Sequence, residues 1–362
     1  MRTSMKKIST AVLAASVLTT GFGFLESTPA FAAAVQQSVK QTPVSLSWNG
    51  KKLQGQGLLI NGTTYIPVTA LRDGLGWRLT YNAAEKSYNL DAGNQQLSLD
   101  YGGLFINQFY LKEYESKNVN GRLYVPFGAL RDYLGVQGSW NAAQKSLAMS
   151  PSVQNDIQIK PAQIKQNAKN GTIELNYPQV SGLTSPEAEK KINDALKKHA
   201  ENVAADARKQ LAEAGAPRDG MTYDFESMYL VTYNKNGVLS LLMEDYGFTG
   251  GAHGMTYRQG YTFNLKDGSQ MKLTDVIGSS PATMALLNKE ITLQFKKGEY
   301  ADLNFGEFTK LDADPDFYVN NNGIVLFFQL YEYTPYAAGF PEFPFQFSSV
   351  LPKGTKPFPG LQ

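Results

Sequence analysis

The fold of the N-terminal half is decided by the stretch NGTTYIPVTALRDGLGWRLTYNAAEKSYNL, residues 61–90, which returns as NGRLYVPFGALRDYLGVQGSWNAAQKSLAM at residues 120–149. The two segments align without a gap, and about half of their positions are identical. Self-similarity at a fixed distance indicates a duplicated structural unit. The sequence therefore predicts one small fold that is built twice.

Each copy predicts a strand, a short helix and a hairpin. In the first copy, residues 65–68 form a strand ended by proline, and residues 69–75 form a short helix. Gly76 can adopt the left-handed conformation that closes such a helix. A hairpin follows at residues 77–81 and 86–90. The same elements recur in the second copy at residues 124–127, 128–134 with Gly135, 138–140 and 145–149.

This duplicated arrangement, over residues 44–150, resembles the copper amine oxidase N-terminal-like domain, which is often called a stalk domain. The resemblance implies a spacer or adhesive module of exported bacterial proteins. We expect no copper site, because residues 44–150 contain no histidine and such a site is built from imidazoles.

Two features of the stalk domain have two interpretations each. The Arg-Asp dipeptide repeated at residues 72–73 and 131–132 is either a salt bridge at a helix end, which we favour, or a binding pair. Trp48, Trp77 and Trp140 either pack in the core or stack on sugar rings. We expect at least two of these tryptophans in the core, because a small hairpin unit needs their buried area.

Polar residues 150–156 separate the stalk domain from a second half, where the repeat does not recur. We place the second domain at residues 157–351. Because few contacts normally cross a polar linker, we expect the two halves to fold independently.

The second half predicts two helices and a series of hairpins. Ser185 as N-cap and Pro186 in the first turn predict a helix that runs to about residue 214, and a second helix covers residues 281–297. Strands are predicted at residues 172–177, where Pro178 ends the strand, and at residues 222–233, 238–246, 256–264, 317–320 and 323–331. The fold class is therefore α+β: a duplicated strand-helix-hairpin stalk domain, then an antiparallel sheet packed with two helices.

The stretch Gly250-Gly251-Ala252-His253-Gly254 surrounds one imidazole with small residues and predicts a sharply shaped loop. It is either a hairpin turn whose histidine bonds its own loop or part of one recognition surface together with residues 331–340. An aromatic stretch at residues 331–340 either closes the core or presents stiff contact area to a partner. The candidate binding residues are Tyr246, Phe248, Gly250, Gly251, His253, Tyr257, Tyr331, Tyr333, Tyr336 and Phe340.

The order of motifs across the second half resembles a paired domain of two bacterial families. This domain lies outside the membrane in RsiV-type anti-sigma factors, where it is a receptor for lysozyme, and ahead of the catalytic domain in PdaC-type peptidoglycan deacetylases. We expect neither whole-protein function here, because only about seven residues precede the N-terminal apolar run and no metal-binding catalytic domain follows. The motifs are residues 177–182, the glycine loop with residues 261–265, residues 273–275, residues 317–318 and residues 331–339.

The N-terminus predicts an exported protein. Basic residues 1–7, an apolar run at residues 8–25 and Ala30-Phe31-Ala32 have the organisation of a signal peptide, residues 1–32, that is cleaved after Ala32. Cleavage would leave no transmembrane anchor, whereas an uncleaved anchor is the alternative. Together with the absence of cysteine, this predicts an extracellular or cell-wall-associated protein of a Gram-positive-type bacterium.

Composition and residue supply argue against nucleic-acid binding and against catalysis. The net charge of +2, with both signs intermixed, provides no basic footprint for nucleic acid. His199 and His253 are the only histidines, and no Gly-x-Ser-x-Gly elbow occurs, so we expect no enzyme activity, no cofactor and no metal site. His199 should pack at the edge of an apolar helix stripe. The acidic residues 312–316 should form a solvated loop rather than a calcium site.

The sequence therefore predicts a non-catalytic binding protein that recognises a lysozyme-like muramidase or peptidoglycan through its second half. The alternatives are a structural wall or adhesion module and a peptidoglycan-directed hydrolase.

Overall fold

The structure is a computed structural model that describes residues 41–84, 86–100, 103–218 and 220–361. The signal peptide predicted at residues 1–32 and its cleavage site lie outside these residues. Within the described part of the chain, no helix is both long enough and apolar enough to cross a membrane.

The stalk domain is composed of short strands and two short helices. In chain order its elements are β1 (Gln41–Trp48), β2 (Lys51–Lys52), β3 (Gly57–Ile60), β4 (Thr63–Pro67), α1 (Val68–Leu75), β5 (Arg78–Asn82), β6 (Ser87–Asp91), β7 (Gln96–Asp100), β8 (Gly103–Ile106), β9 (Phe109–Tyr110), β10 (Lys117–Val119), β11 (Arg122–Pro126), α2 (Phe127–Tyr133), β12 (Val136–Asn141) and β13 (Ser146–Pro151).

These strands form two sheets. The first has the order β10-β11-β4-β3-β1-β13-β12, with β2 paired to β1, and it contains the parallel pair β1 and β13. The second is an antiparallel meander of order β5-β6-β7-β8-β9. The two repeat copies meet through their equivalent strands, because β4 pairs with β11 and Tyr65 lies opposite Pro126 as Tyr124 lies opposite Pro67. The hairpins of the two copies end in different sheets.

The local structure of each copy follows the sequence pattern. A proline ends β4 and β11, and each strand leads directly into a helix, α1 or α2. Gly76 has a φ of 75° and caps α1 in the left-handed conformation, as predicted. Arg72 and Asp73 form the expected ion pair at 2.6 Å, as do Arg131 and Asp132.

The second half contains longer strands and helices. Its elements are β14 (Gln158–Asn167), β15 (Gly171–Ser181), α3 (Pro186–Glu213), β16 (Tyr223–Lys235), β17 (Val238–Phe248), β18 (Met255–Asn264), α4 (Leu273–Ile277), α5 (Pro281–Lys297), β19 (Phe317–Val319), β20 (Gly323–Phe327), β21 (Glu342–Gln346) and α6 (Phe347–Val350), with 3-10 turns at Tyr336–Ala338 and Pro359–Leu361.

Strands β14 to β18 form one sheet in chain order, antiparallel except for the parallel pair β15 and β16. Helix α3 connects that parallel pair and packs its apolar stripe against the sheet, where Ile192 and Leu196 join Phe263 in one buried cluster. Strands β19 to β21 form a separate sheet that shares a core with α5. The α+β class and the two long helices are confirmed, and α5 has the predicted bounds.

Two predicted strand limits are wrong. Pro178 does not end its strand, because β15 continues to residue 181 and Pro178 lies opposite Pro161 of β14, a neighbouring strand that the sequence analysis missed. The strand predicted at residues 323–331 stops at Phe327. Tyr331 instead adopts a φ of 66°, which no strand residue has.

The expectation that few contacts join the two halves is wrong. Lys40–Gln362 is one compact unit. One buried cluster combines stalk residues such as Leu104 and Val125 with Leu230 of β16, Leu242 of β17 and Phe327 of β20. The stalk domain therefore covers one face of the second-half sheet and contributes to its core.

Polar side chains of the stalk domain also bond to the backbone of the second half. The β16 ladder shifts register between Val231 and Tyr233, and there the Gln95 carboxamide oxygen accepts from the Val231 amide at 2.9 Å. Asn94 donates to the Ile157 carbonyl at 3.1 Å and accepts from the Ile159 amide at 3.0 Å. Because a bulge leaves backbone groups without ladder partners, Gln95 supplies the bond that the register shift removes.

Candidate functional site

The loop between β17 and β18 is shaped by its glycines. Gly250 and Gly251 have φ angles of 102° and 99°, a region that residues with a side chain rarely adopt. Gly254 lies directly against Tyr246, because a Cβ at that position would come within 2.3 Å of the tyrosine ring. The sequence Gly-Gly-x-x-Gly is therefore needed both for the turn and for this close approach.

His253 stands at the tip of this loop between two tyrosines. Its ring stacks on Tyr336, with centroids 3.9 Å apart and planes inclined by 21°. Nδ1 is 2.7 Å from the Gly254 carbonyl oxygen, which only accepts, so Nδ1 carries the hydrogen. Nε2 forms a hydrogen bond with the Tyr331 hydroxyl at 3.2 Å. The imidazole is thus held by one stacked ring and two hydrogen bonds.

The two tyrosines are themselves held by an irregular backbone. Tyr331 has a φ of 66°, and a bulky residue keeps this conformation only where the surrounding contacts impose it. Tyr336 begins the 3-10 turn Tyr336–Ala338, which Pro335 precedes and Gly339 follows with a φ of 69°. The centroids of the Tyr331 and Tyr336 rings are 6.0 Å apart. The rings are therefore fixed in position before any partner arrives.

We call His253, Tyr331 and Tyr336 the histidine-tyrosine surface. Tyr331 is 43% exposed and His253 is exposed, whereas Tyr336 is half-buried beneath the imidazole. Tyr246 lies below, and burial, followed by the neighbouring Tyr336, raises its pKa. The two loops that the sequence analysis proposed as one recognition surface do meet here. The structure brings together Gly250, Gly251, His253, Tyr331, Tyr336 and, beneath them, Tyr246.

Other candidate residues lie elsewhere. Tyr333 points into the aromatic core, with its ring centroid 4.8 Å from that of Phe328. Phe340 is buried. Tyr257 is 63% exposed but lies on the opposite face of the sheet from Arg258, because neighbouring strand residues alternate between faces. Phe248 is a half-buried residue that ends β17. These four residues do not form part of the histidine-tyrosine surface.

The sequence analysis did not identify Arg258, which organises the sheet beside this surface. Its side chain is 7% exposed, and Nε and Nη2 donate to Glu244 Oε1 at 2.8 and 2.5 Å. Nη1 donates to Glu342 of β21. The guanidinium carbon lies 4.1 Å from the centroid of Phe340, within cation–π range. Burial opposes the charged form, but the two carboxylates outweigh it and raise the pKa of Arg258.

The second histidine lies in a buried polar network under α3, which the sequence analysis also missed. His199 Nε2 is 2.8 Å from Asp245 Oδ2, and the Tyr261 hydroxyl is 3.0 Å from Nδ1. The Ser227 hydroxyl donates to the other oxygen of Asp245. The expected packing of His199 at the edge of the helix stripe is confirmed, but the ring also carries hydrogen bonds on both nitrogens.

The described residues contain no group of three or more His, Cys, Asp or Glu side chains that could hold a metal ion. In the acidic loop at residues 312–316, Asp314 lies 3.6 Å from Lys272. Asp316 accepts from the Gln329 carboxamide at 2.9 Å. Burial raises the pKa of Asp316. These two carboxylates are engaged by protein groups instead of being grouped around a cation position.

Comparisons with known families give three matches in chain order. The copper amine oxidase N-terminal domain matches residues 47–149, the family described as deacetylase PdaC matches residues 164–256, and a family of unknown function, DUF3298, matches residues 274–348. This order confirms the architecture that the motifs indicated. It indicates a cell-envelope-associated protein.

Two solved structures are similar to part of the chain. A member of the DUF3298 family from Bacteroides fragilis NCTC 9343 is 17% identical, covers 53% of this chain and 91% of its own, and has a TM-score of 0.41. A DUF3298 family protein from Pseudomonas aeruginosa PAO1 is 15% identical, covers 57% of this chain and 97% of its own, and has a TM-score of 0.42. No curated protein matches the chain.

Proposed function

We propose that this chain is an exported, non-catalytic binding protein of the cell envelope. Its second half recognises a lysozyme-like muramidase or a peptidoglycan-type glycan through the histidine-tyrosine surface. The observation that carries the proposal is the stack of His253 on Tyr336 at 3.9 Å, with Tyr331 bonded to the same imidazole.

The geometry supports binding because the surface combines apolar area with polar groups at little entropic cost. Tyrosine offers a large, stiff ring and a hydroxyl that can form a hydrogen bond with a partner. For this reason it is enriched among the interface residues that contribute most of the binding free energy. The loop backbone and the ring stack fix these side chains in the free protein. Side chains that are ordered beforehand lose less entropy on association.

The arrangement of the two histidines supports a role without catalysis. In a serine hydrolase, the serine hydroxyl bonds to the histidine and the aspartate bonds to the other ring nitrogen. Here Ser227 bonds to Asp245 instead, and the second nitrogen of His199 bonds to Tyr261. At His253, both ring nitrogens bond to groups of the protein itself.

The experiment is calorimetric titration with hen-type lysozyme in one arm and soluble muropeptides in the other. Tyr336→Ala should weaken binding of the true partner by on the order of 2 kcal/mol, or about 30-fold, because it removes the ring on which His253 rests. Tyr257→Ala is the matched control, since it removes an exposed tyrosine from the opposite face of the same sheet. The control should leave affinity unchanged.

Two outcomes would contradict the proposal. One is that neither lysozyme nor muropeptides bind the full chain. The other is that Tyr336→Ala lowers the unfolding midpoint in urea in step with affinity, since the two loops would then only close the structure.

A further inference from the structure

Two exposed aromatic side chains of the stalk domain, Tyr81 and Trp140, occupy equivalent positions in its two repeat copies. Tyr81 and Trp140 align when residues 61–90 are placed over residues 120–149, and each is followed by Asn-Ala-Ala-x-Lys-Ser. Tyr81 is 54% exposed and Trp140 is 41% exposed. By contrast, Trp48 and Trp77 are half-buried and pack against the edge of the shared core rather than within it.

Each ring precedes a turn that begins at an asparagine, although the asparagine oxygen accepts from a different position in each copy. Asn82 Oδ1 accepts from the Ala84 amide at 3.1 Å in the first copy, and Asn141 Oδ1 accepts from the Gln144 amide at 3.0 Å in the second. Each turn is followed by a lysine in the left-handed region, with φ of 53° at position 86 and 48° at position 145. Each aromatic residue therefore stands one residue before the end of the first strand of an equivalent hairpin.

Both hairpins also lie at a sheet edge. Strand β5 is the outer strand of the meander, and β12 is the outer strand of the other stalk sheet. The ring of Tyr81 is supported by Tyr88 on the neighbouring strand, with centroids 4.8 Å apart. Trp140 lies opposite the buried Leu147. The Tyr81 ring is thus backed by Tyr88, and both Tyr81 and Trp140 remain largely exposed.

We propose that Tyr81 and Trp140 are two carbohydrate-binding platforms, on which pyranose rings of a β-linked polysaccharide stack. Aromatic rings offer a flat apolar face for the C–H groups of a sugar, and neighbouring amides and hydroxyls bond to its ring substituents. The exposed neighbours of the two rings have this mixed character. They belong to the adjoining turns and are Ala83, Ala84 and Lys86 in the first copy and Gln144 and Lys145 in the second.

The surroundings favour a glycan over a protein partner. A stable protein interface buries about 800 Å² on each side around an apolar centre. The exposed aromatic area here is only the Tyr81–Tyr88 pair in one copy and Trp140 in the other. Two equivalent platforms also suit a ligand that itself repeats, because a long chain that contacts both gains avidity from the second contact. This inference concerns the stalk domain and is independent of the histidine-tyrosine surface.

The test uses the full chain with two probes, the hexasaccharide of β-1,4-linked N-acetylglucosamine and purified insoluble peptidoglycan. Tyr81→Ala and Trp140→Ala should each weaken hexasaccharide binding about three- to tenfold. The double variant should lose more of its retention on peptidoglycan than either single variant, because avidity is lost. Tyr110→Ala is the control, since Tyr110 is a 52% exposed stalk tyrosine outside the repeated positions.

A fluorescence readout keeps the test independent of folding. The hexasaccharide should change the tryptophan emission of the unmodified protein, and Trp140→Tyr should bind the sugar with that change abolished. Three results would overturn the proposal: no emission change in the unmodified protein, an equal loss of binding in Tyr110→Ala, or unchanged sugar binding in both alanine variants. A further contrary result would be that the alanine variants lose self-association, measured by sedimentation, but still bind the sugar. The rings would then form contacts between copies of the chain, and the proposal would be overturned.

Discussion

The two histidines of this chain have similar partners but contrasting environments. His253 is exposed on a glycine loop, where it stacks on Tyr336 and forms a hydrogen bond with Tyr331. His199 is 14% exposed and projects from the long helix α3 between Asp245 and Tyr261. A hydrogen bond between an imidazole and a tyrosine hydroxyl therefore does not by itself indicate a functional site. The neighbouring carboxylate and the burial distinguish a structural polar network from a surface available to a partner.

The largest expected effect is a difference in stability between the alanine variants of the two histidines. His199→Ala should lower the free energy of unfolding by about 2–3 kcal/mol, because it leaves the buried Asp245 carboxylate without its main partner. His253→Ala should lower the free energy of unfolding by less than about 0.5 kcal/mol, because the hydrogen bonds of His253 lie at the surface. Urea unfolding followed by circular dichroism measures both. Equal losses would remove the contrast between the two sites.

The next effect tests how tightly the exposed site is built. Gly254→Ala should lower the free energy of unfolding by about 1–2 kcal/mol, because its Cβ would displace the ring of Tyr246. The displacement should also weaken partner binding at His253. Gly360→Ala is the control, since its Cβ would meet no atom within 4 Å. If Gly254→Ala leaves both stability and affinity intact, the loop is more adaptable than its close packing indicates.

A smaller effect concerns the alkaline stability of the His199 network. Burial, followed by the Asp245 charge, raises the pKa of Tyr261 from 10.0 to about 12. Because the pKa of Tyr261 is higher in the folded state than in the unfolded state, the neutral side chain contributes fully to the free energy of unfolding below about pH 10. That contribution is lost as the pH rises towards 12. Tyr261→Phe should therefore flatten part of the alkaline decline of unfolding free energy.

The smallest effect is expected within the histidine-tyrosine surface itself. Tyr331→Phe removes only the hydroxyl bond to His253 Nε2 and keeps the ring. Stability should change by less than about 0.5 kcal/mol, and partner affinity should fall by a factor of about two to five. Calorimetry against the partner and urea unfolding give the two numbers. A loss as large as that of Tyr336→Ala would show that the hydroxyl, rather than the ring stack, dominates recognition.

Local signals in the sequence predicted the local structure well. The Ser185 cap with Pro186 placed α3, and Gly76 closed α1, because each signal acts within a few residues. The meeting of the glycine loop with the aromatic stretch was also anticipated from composition. Within that stretch, however, nothing distinguished Tyr336, which faces His253, from Tyr333, which faces the core. An irregular backbone has no period from which to assign a face.

Long-range polar pairs could not be predicted from the sequence. The bonds of His199 to Asp245 and of Gln95 to Val231 join residues that are distant along the chain. No spacing rule relates such partners, because they meet only after strands and helices have packed. Arg258 shows the same limit, since a lone arginine in a predicted strand gives no indication that it will be buried between two carboxylates.

The shared core of the two halves changes how the molecule would encounter a partner. A receptor on a slack tether explores a volume around its attachment and can reorient without moving the rest of the chain. Here Gln95 and the apolar residues around Leu242 hold the second half against the stalk domain. Its loops then sample orientations only as the whole unit tumbles. Encounter should consequently be slow and orientation-dependent, and longer-lived contacts rather than faster ones should provide affinity.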